Sequence, residues 1–154
     1  MDVAYDVFTE AFLQKITEFD LLELEQPQRG HLTDSYLTRA LSELAPLCRE
    51  CFSISLDAEN RKAVFGGKAN DWDSLAETEV VNIVSEGMIA HWLKPYVNRQ
   101  ESLENIVNTR DFTTYSPAEL LHRVGARYKA ALRDFKQMAL EYSYAHGDLT
   151  RLHL

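Results

Sequence analysis

The stretch from Ser74 to Val97, SLAETEVVNIVSEGMIAHWLKPYV, constrains this chain more than any other. It reads as a helix with a defined start: Ser74 can cap the N-terminus, and Glu77 stands three residues on, where a capping box needs it. Glu77 and Glu79 also set negative charge at the positive end of the helix dipole. The apolar residues that follow are Val80, Val81, Ile83, Val84, Met88, Ile89, Trp92, Leu93 and Tyr96. At about 100° per residue they occupy well over half of the circumference, so the helix must be covered from several sides and stand at the centre of the fold. Gly87 costs roughly 1 kcal/mol inside a helix. The bare spot predicts another backbone packing close. Pro95 lacks an amide proton and marks a kink or the last turn.

Other segments predict helices that can cover this one. From about Asp2 to Leu22, Val7 or Phe8, Phe12, Ile16 and Phe19 recur at helical spacing, and Pro27 and Gly30 close the segment in a loop. A second helix opens at Thr33 or Asp34 and carries Leu37, Leu41, Leu44 and Leu47 as a stripe, with Pro46 near its end. In residues 52 to 65, Phe52, Ile54 and Leu56 alternate with Ser53, Ser55 and Asp57, and Lys62 to Phe65 can return as a hairpin. A loop or a helix extension fits these short runs equally well. Leu103, Ile106 and Val107 suggest a short helix. Ser116-Pro117-Ala118-Glu119 is the clearest helix start in the chain, with Ser116 as N-cap, Pro117 in first position and Glu119 completing the box. The helix it opens should reach Ala145 or His146, with Gly147 as a left-handed C-cap. Leu121, Val124, Tyr128, Ala131, Phe135, Met138 and Tyr142 alternate three and four apart along it, a pattern that packs along a neighbouring helix. Roughly 28 residues make a rod of about 42 Å, longer than a domain of this size is wide, so one end is expected to project. The expected fold is therefore all-α: one domain over residues 1–154, a bundle of about five helices with a long C-terminal helix, and room for a short hairpin around 52–65. The helical core runs to about 146, and residues 147–154 form a tail with Leu149, Leu152 and Leu154 unsheltered.

Composition narrows the functional classes. No apolar run reaches the roughly 18 residues of a membrane span, and the opening MDVAYDVFTEAF lacks the basic and apolar regions of a signal peptide, which predicts synthesis and use in cytoplasm. A net charge of -8 opposes general nucleic-acid binding, though a protein that surrounds DNA without gripping it is compatible. The charge is uneven. Asp2, Asp6, Glu10, Glu18, Asp20, Glu23 and Glu25 dominate the start, whereas Arg123, Arg127, Lys129, Arg133 and Lys136 dominate the last helix. Such halves can meet within one molecule or between neighbours.

No stretch spells catalytic or cofactor chemistry, so no enzyme, metal or cofactor is expected. GxSxG, P-loop, GxGxxG and HExxH patterns are all missing, and Gly66-Gly67-Lys68 lacks Walker spacing, with Ala69 where Ser or Thr belongs. Cys48-Arg49-Glu50-Cys51 is the single CxxC. Zinc would need two further ligands, and His31, His91, His122, His146 and His153 show no paired spacing, so two small buried hydrophobes at a helix end is the simpler reading. His91, beside Trp92, reads as a partly buried, hydrogen-bonded residue. The basic face of the last helix can touch phosphates, but a solvated or intersubunit face fits it better.

Residues 77 to 148 resemble a family of tailed-phage structural proteins from prophages of Gram-positive bacteria. The resemblance lies in Glu79-Val80-Val81 through Gly87-Met88, Trp92-Leu93-Lys94-Pro95, Thr109-Arg110-Asp111-Phe112, Tyr115-Ser116-Pro117-Ala118, Leu120 and Leu121, and Glu141-Tyr142-Ser143-Tyr144. The opening YDVFTEAFLQKITEFDLL is similar more loosely. These are caps and core positions. The resemblance implies a head–tail adaptor or connector of the virion neck: a homo-oligomeric ring, typically twelve copies, assembled in the host cytoplasm, docked under the portal protein and receiving the stopper or tail-completion protein. DNA would pass through the lumen without sequence-specific binding. The chain departs from typical adaptors in an insertion at about 52–72. An intersubunit or partner interface is then expected at Arg123, Arg127, Lys129, Arg133, Lys136, Leu149, Leu152 and Leu154. Two other readings compete: a dimeric helical adaptor or regulator of a host protein, and a zinc- or thiol-dependent protein built on Cys48 and Cys51.

Overall fold

The computed structural model describes residues 1–18, 30–67, 74–98 and 117–147. The described residues form four helices and a small antiparallel sheet. In chain order these are β1 (Asp2–Ala4), α1 (Tyr5–Glu18), α2 (His31–Leu47), β2 (Ser53–Asp57), β3 (Lys62–Gly66), α3 (Ser74–Asn98) and α4 (Pro117–His146). The expected short helix at Leu103–Val107, the Ser116 cap, the side chain of Ser74 and the tail from residue 148 lie outside the described residues.

The centrality of the Ser74–Val97 stretch follows directly from its composition. Val80, Ile83, Val84, Met88, Ile89, Trp92 and Leu93 are all buried, and α3 packs against α1, α2 and α4. Gly87 marks the crossing. A β-carbon there would stand 2.9 Å from the Phe135 ring of α4 and 3.0 Å from the Ala40 β-carbon of α2. The close partners are thus side chains of two helices rather than a backbone. Alanine at 87 would gain about 1 kcal/mol of helix propensity but would have to push Phe135 and Ala40 aside. Leucine has no such room, and Gly87→Leu is expected to cost about 1–3 kcal/mol of stability, read as a fall in the urea midpoint. An unchanged midpoint would mean that the three helices separate freely here.

The all-α expectation is corrected by the sheet. The hairpin left open at 52–65 forms, with Ser53 paired to Gly66 and Asp57 to Lys62. Its turn is held by Asp57, whose carboxylate accepts from the Asn60 backbone N–H at 3.1 Å and side-chain amide at 2.8 Å. These bonds hold the Asp57 carboxyl below its usual range. A third strand, β1, lies on the other side of β3, so the order is β1-β3-β2. The first helix therefore begins at Tyr5 and not at Asp2. Three residues are too short to show a strand period, and β1 finds its partner some sixty residues away, where local spacing carries no signal. Phe65 on β3 and the adjacent Phe52 turn inward, with their rings 5.3 Å apart, and Phe52 also packs on Tyr142 of α4 at 5.8 Å.

Two helix ends also differ from expectation. α2 starts at His31, and Thr33, expected as its cap, is its third residue. The buried Thr33 hydroxyl accepts from the Gly30 N–H at 3.1 Å and donates to the Gly30 carbonyl at 3.0 Å, so it closes the first turn from within. At the end of α4, Gly147 donates to the Ser143 carbonyl at 2.8 Å without a left-handed backbone. Glycine is needed there because a β-carbon would collide with that same oxygen.

α4 has 30 residues, about 45 Å. It is less of a projecting rod than its length suggests. The buried positions Val124, Ala131, Phe135, Ala139 and Tyr142 span most of it, because α3, about 37 Å long, runs antiparallel along it. No described helix is long and apolar enough to cross a membrane.

Candidate functional site

Cys48 and Cys51 follow the α2 stripe of leucines into the core, and both are free and buried. The Cys48 thiol donates to the Ala139 carbonyl of α4 at 3.4 Å, and the Cys51 thiol to the Ser143 carbonyl at 3.7 Å. Burial pushes the Cys48 thiol up to about 12 and raises that of Cys51, so both are protonated donors rather than thiolates at neutral pH. Thiols in this state pin the end of α2 to α4. Replacing both by alanine is expected to cost about 1–3 kcal/mol through lost packing, with the fold retained by circular dichroism. Stoichiometric zinc in the purified protein, lost on that replacement, would contradict the packing role.

His91 is 9 % exposed on α3. Its Nε2 lies 3.1 Å from Glu43 Oε1 of α2, an ion-pair distance without hydrogen-bond alignment. Burial lowers the His91 pKa below its ordinary value, outweighing the pull of Glu43, and Arg39 and Lys94 push the same way. A depressed folded-state pKa means that below about 6.5 the unfolded chain takes up a proton which the native one refuses. The stability contributed by neutral His91 is therefore present above that pH and is lost as pH falls toward the native pKa. Denaturation midpoints measured at pH 7.5 and 5.5 should fall more in the wild type than in His91→Gln. Equal falls would show that His91 does not contribute.

Among the predicted interface residues, Arg127 has an internal role. Its guanidinium sits 3.3 Å from Glu86 Oε2, while Lys15 of α1 holds Glu86 Oε1 at 3.1 Å and also donates to the Asn82 carbonyl. All three side chains are less than a fifth exposed. Glu86 thereby ties α1 and α4 to α3 with one carboxylate, a junction that no local spacing announces.

Arg123, Lys129, Arg133 and Lys136 are exposed, as an interface needs. Arg133 leans on Asp134 at 3.0 Å, whereas Lys129 and Lys136 have no ion-pair partner among the described residues. At about 100° per residue, Lys129, Arg133 and Lys136 share one outward line with Leu140 and Tyr144. The last two are 43 % and 66 % exposed. Sequence reasoning missed this apolar end of the basic line, although counting i, i+4, i+7, i+11 and i+15 from Lys129 finds it. Leu149, Leu152 and Leu154 lie outside the described residues, as do Asp20, Glu23 and Glu25 of the acidic start. Of that start, Asp2, Asp6 and Glu10 are exposed, and Asp6 is drawn to Arg61 at 3.5 Å.

Among the described residues, a groove lies on either side of α3. One, between α1 and α3, is lined by Val7, Glu10, Ala11, Leu13, Gln14 and Val81. The other, between α3 and α4, has a volume of about 260 Å³. Its floor is Ile83, Met138 and Tyr142, and Glu79 and Glu141 stand on its edges, with His146 3.4 Å from Glu79 at one end. Among the described residues, neither Lys nor Arg lines it. No group of three or more His, Cys, Asp or Glu side chains able to hold a metal occurs among the described residues. Chemically, then, the described surface offers two contrasting faces: one basic and aromatic, one acidic with an apolar floor.

No family model, curated protein or solved structure matches this chain.

Proposed function

We propose that this chain is a structural subunit of a tailed-phage neck, a head–tail adaptor that forms a ring between the portal protein and the stopper or tail-completion protein. The observation that carries the reading is the outward line of α4, Lys129 to Tyr144. It is a helix face of about 22 Å that carries charge and an exposed Tyr but no catalytic grouping. Such a face suits contact with another protein, since Tyr and Arg are enriched at the energetic centres of interfaces. The resemblance to phage neck proteins supports the choice of partner. Its residues Val80, Val81, Met88, Trp92, Leu93 and Tyr142 are core residues here, which fits a likeness of fold. A net charge of -8 suits a channel through which DNA slides, because like charge prevents adhesion.

Complementation tests the proposal. A phage lacking this chain should produce DNA-filled heads that leak or fail to accept tails, and the supplied wild-type protein should restore attachment. A version lacking residues 147–154, and with them Leu149, Leu152 and Leu154, should fold and yet restore attachment poorly. Tails that attach normally without the chain would overturn the reading. A host protein retained in one-to-one complex, with no assembly into particles, would favour a regulator instead.

A further inference from the structure

The two contrasting faces described above lie on opposite sides of the same helix and have opposite charge. We propose that the outward line of α4 in one copy docks into the α3–α4 groove of a second copy. The proposal deepens the ring reading above and rests on it for its biological setting, but its chemistry stands on the geometry alone. Lys129 and Lys136 present positive charge with no partner among the described residues. Glu79 and Glu141 edge a groove in which, among the described residues, no Lys or Arg answers them and His146, 3.4 Å from Glu79, is the one basic side chain. Among the described residues, Glu141 accepts a hydrogen bond from the neutral amide of Gln137 at 2.9 Å and has no cationic partner. The apolar halves match too. Leu140 and Tyr144 stand out from the line, and the groove floor of Ile83, Met138 and Tyr142 offers a cavity of about 260 Å³ for an aromatic side chain.

The groove residues of α4, Met138 to Ala145, point roughly 150° away from the Lys129–Tyr144 line. A contact between them is therefore heterologous: each copy uses one face to hold its neighbour and keeps the other for the next. Repetition of such a contact closes a ring or extends a filament. Two oppositely charged faces on one subunit also disfavour a face-to-face dimer, since each face repels its own kind.

Charge reversal in trans tests the contact with the full-length chain. Lys129→Glu/Lys136→Glu leaves both faces acidic, and Glu79→Lys/Glu141→Lys leaves both basic. In low salt, sedimentation velocity should show the wild type associating with concentration, and each variant alone should associate at least about tenfold more weakly. An equimolar mixture of the two variants should associate again, because each face then meets its opposite, and added salt should dissolve both assemblies. Circular dichroism checks the fold. Should the lysine pair at 79 and 141 unfold the chain, Glu79→Gln/Glu141→Gln replaces it, and weakened self-association is then the supporting result. A mixture that stays dispersed, a variant that associates alone as the wild type does, or a wild type that remains monomeric at every attainable concentration would each overturn the contact. Failure of the neck reading looks different: copies associate by this route but never join portal-bearing heads. If wild type and Lys129→Glu/Lys136→Glu join heads equally well, the contact falls and the neck reading stands.

Discussion

Trp92→Ala is expected to bring the chain close to unfolding, at a cost of about 3–5 kcal/mol. Trp92 is 2 % exposed at the heart of α3 and meets Phe12 of α1 edge-on, with centroids 6.1 Å apart and planes at 85°. Tyr96, one turn on, also meets Trp92 edge-on at 6.5 Å, and Phe12 passes the contact to Tyr36 of α2 at 6.0 Å. Removing the indole leaves a cavity between α3 and α1, both of which also pack on α2, so collapse into it is limited. A domain of this size has roughly 5–15 kcal/mol of stability in all, and the loss is a large part of it. Urea denaturation followed by tyrosine fluorescence gives the number. A cost below about 1 kcal/mol would mean that α1 and α2 close the gap and that α3 is not the organising helix.

Glu86→Ala is expected to cost about 2–3 kcal/mol, somewhat less than breaking a fully buried pair, because the side chains keep slight contact with water. Glu86 is 12 % exposed, Lys15 19 % and Arg127 17 %. Its removal takes the one carboxylate shared by Lys15 and Arg127 out of the seam where α1, α3 and α4 meet. Replacing all three by methionine should restore much of the loss, since an apolar seam buries no charge. If the triple variant is as unstable as Glu86→Ala, the deficit comes from packing and not from charge.

The contrast between these two sites shows what the sequence discloses. Trp92 belongs to a run so apolar that only a central position satisfies it, and the same logic finds Phe8, Phe12, Leu37, Leu41, Leu44 and Phe135, all buried. Gly87 announces itself as a bare spot in such a run. The hairpin shows weakly through the alternation of Phe52, Ile54 and Leu56, because only Phe52 is fully buried while Leu56 stays 41 % exposed. β1 does not show at all, since Val3 is its single inward side chain. The Lys15–Glu86–Arg127 junction joins residues 71 and 41 apart in sequence, beyond any periodicity. Arg127 for that reason reads as one more cation of the basic face. Arg61 is similar: it sits at a positive φ of 52° in the hairpin turn, pairs with Asp34 and Asp6, and lies 5.5 Å from the Tyr5 ring, all reached through the fold. The outward line of α4 is half legible. Its basic residues stand out by charge, whereas Leu140 and Tyr144 pass for core until their angle on the helix is counted.

Electron microscopy of portal-bearing heads purified with this chain present tests the neck assignment most directly. A closed ring of copies is expected beneath the portal, with the Lys129–Tyr144 line of each α4 seated in the α3–α4 groove of its neighbour. Heads that carry the portal and accept tails with no density for this chain at the neck would contradict it.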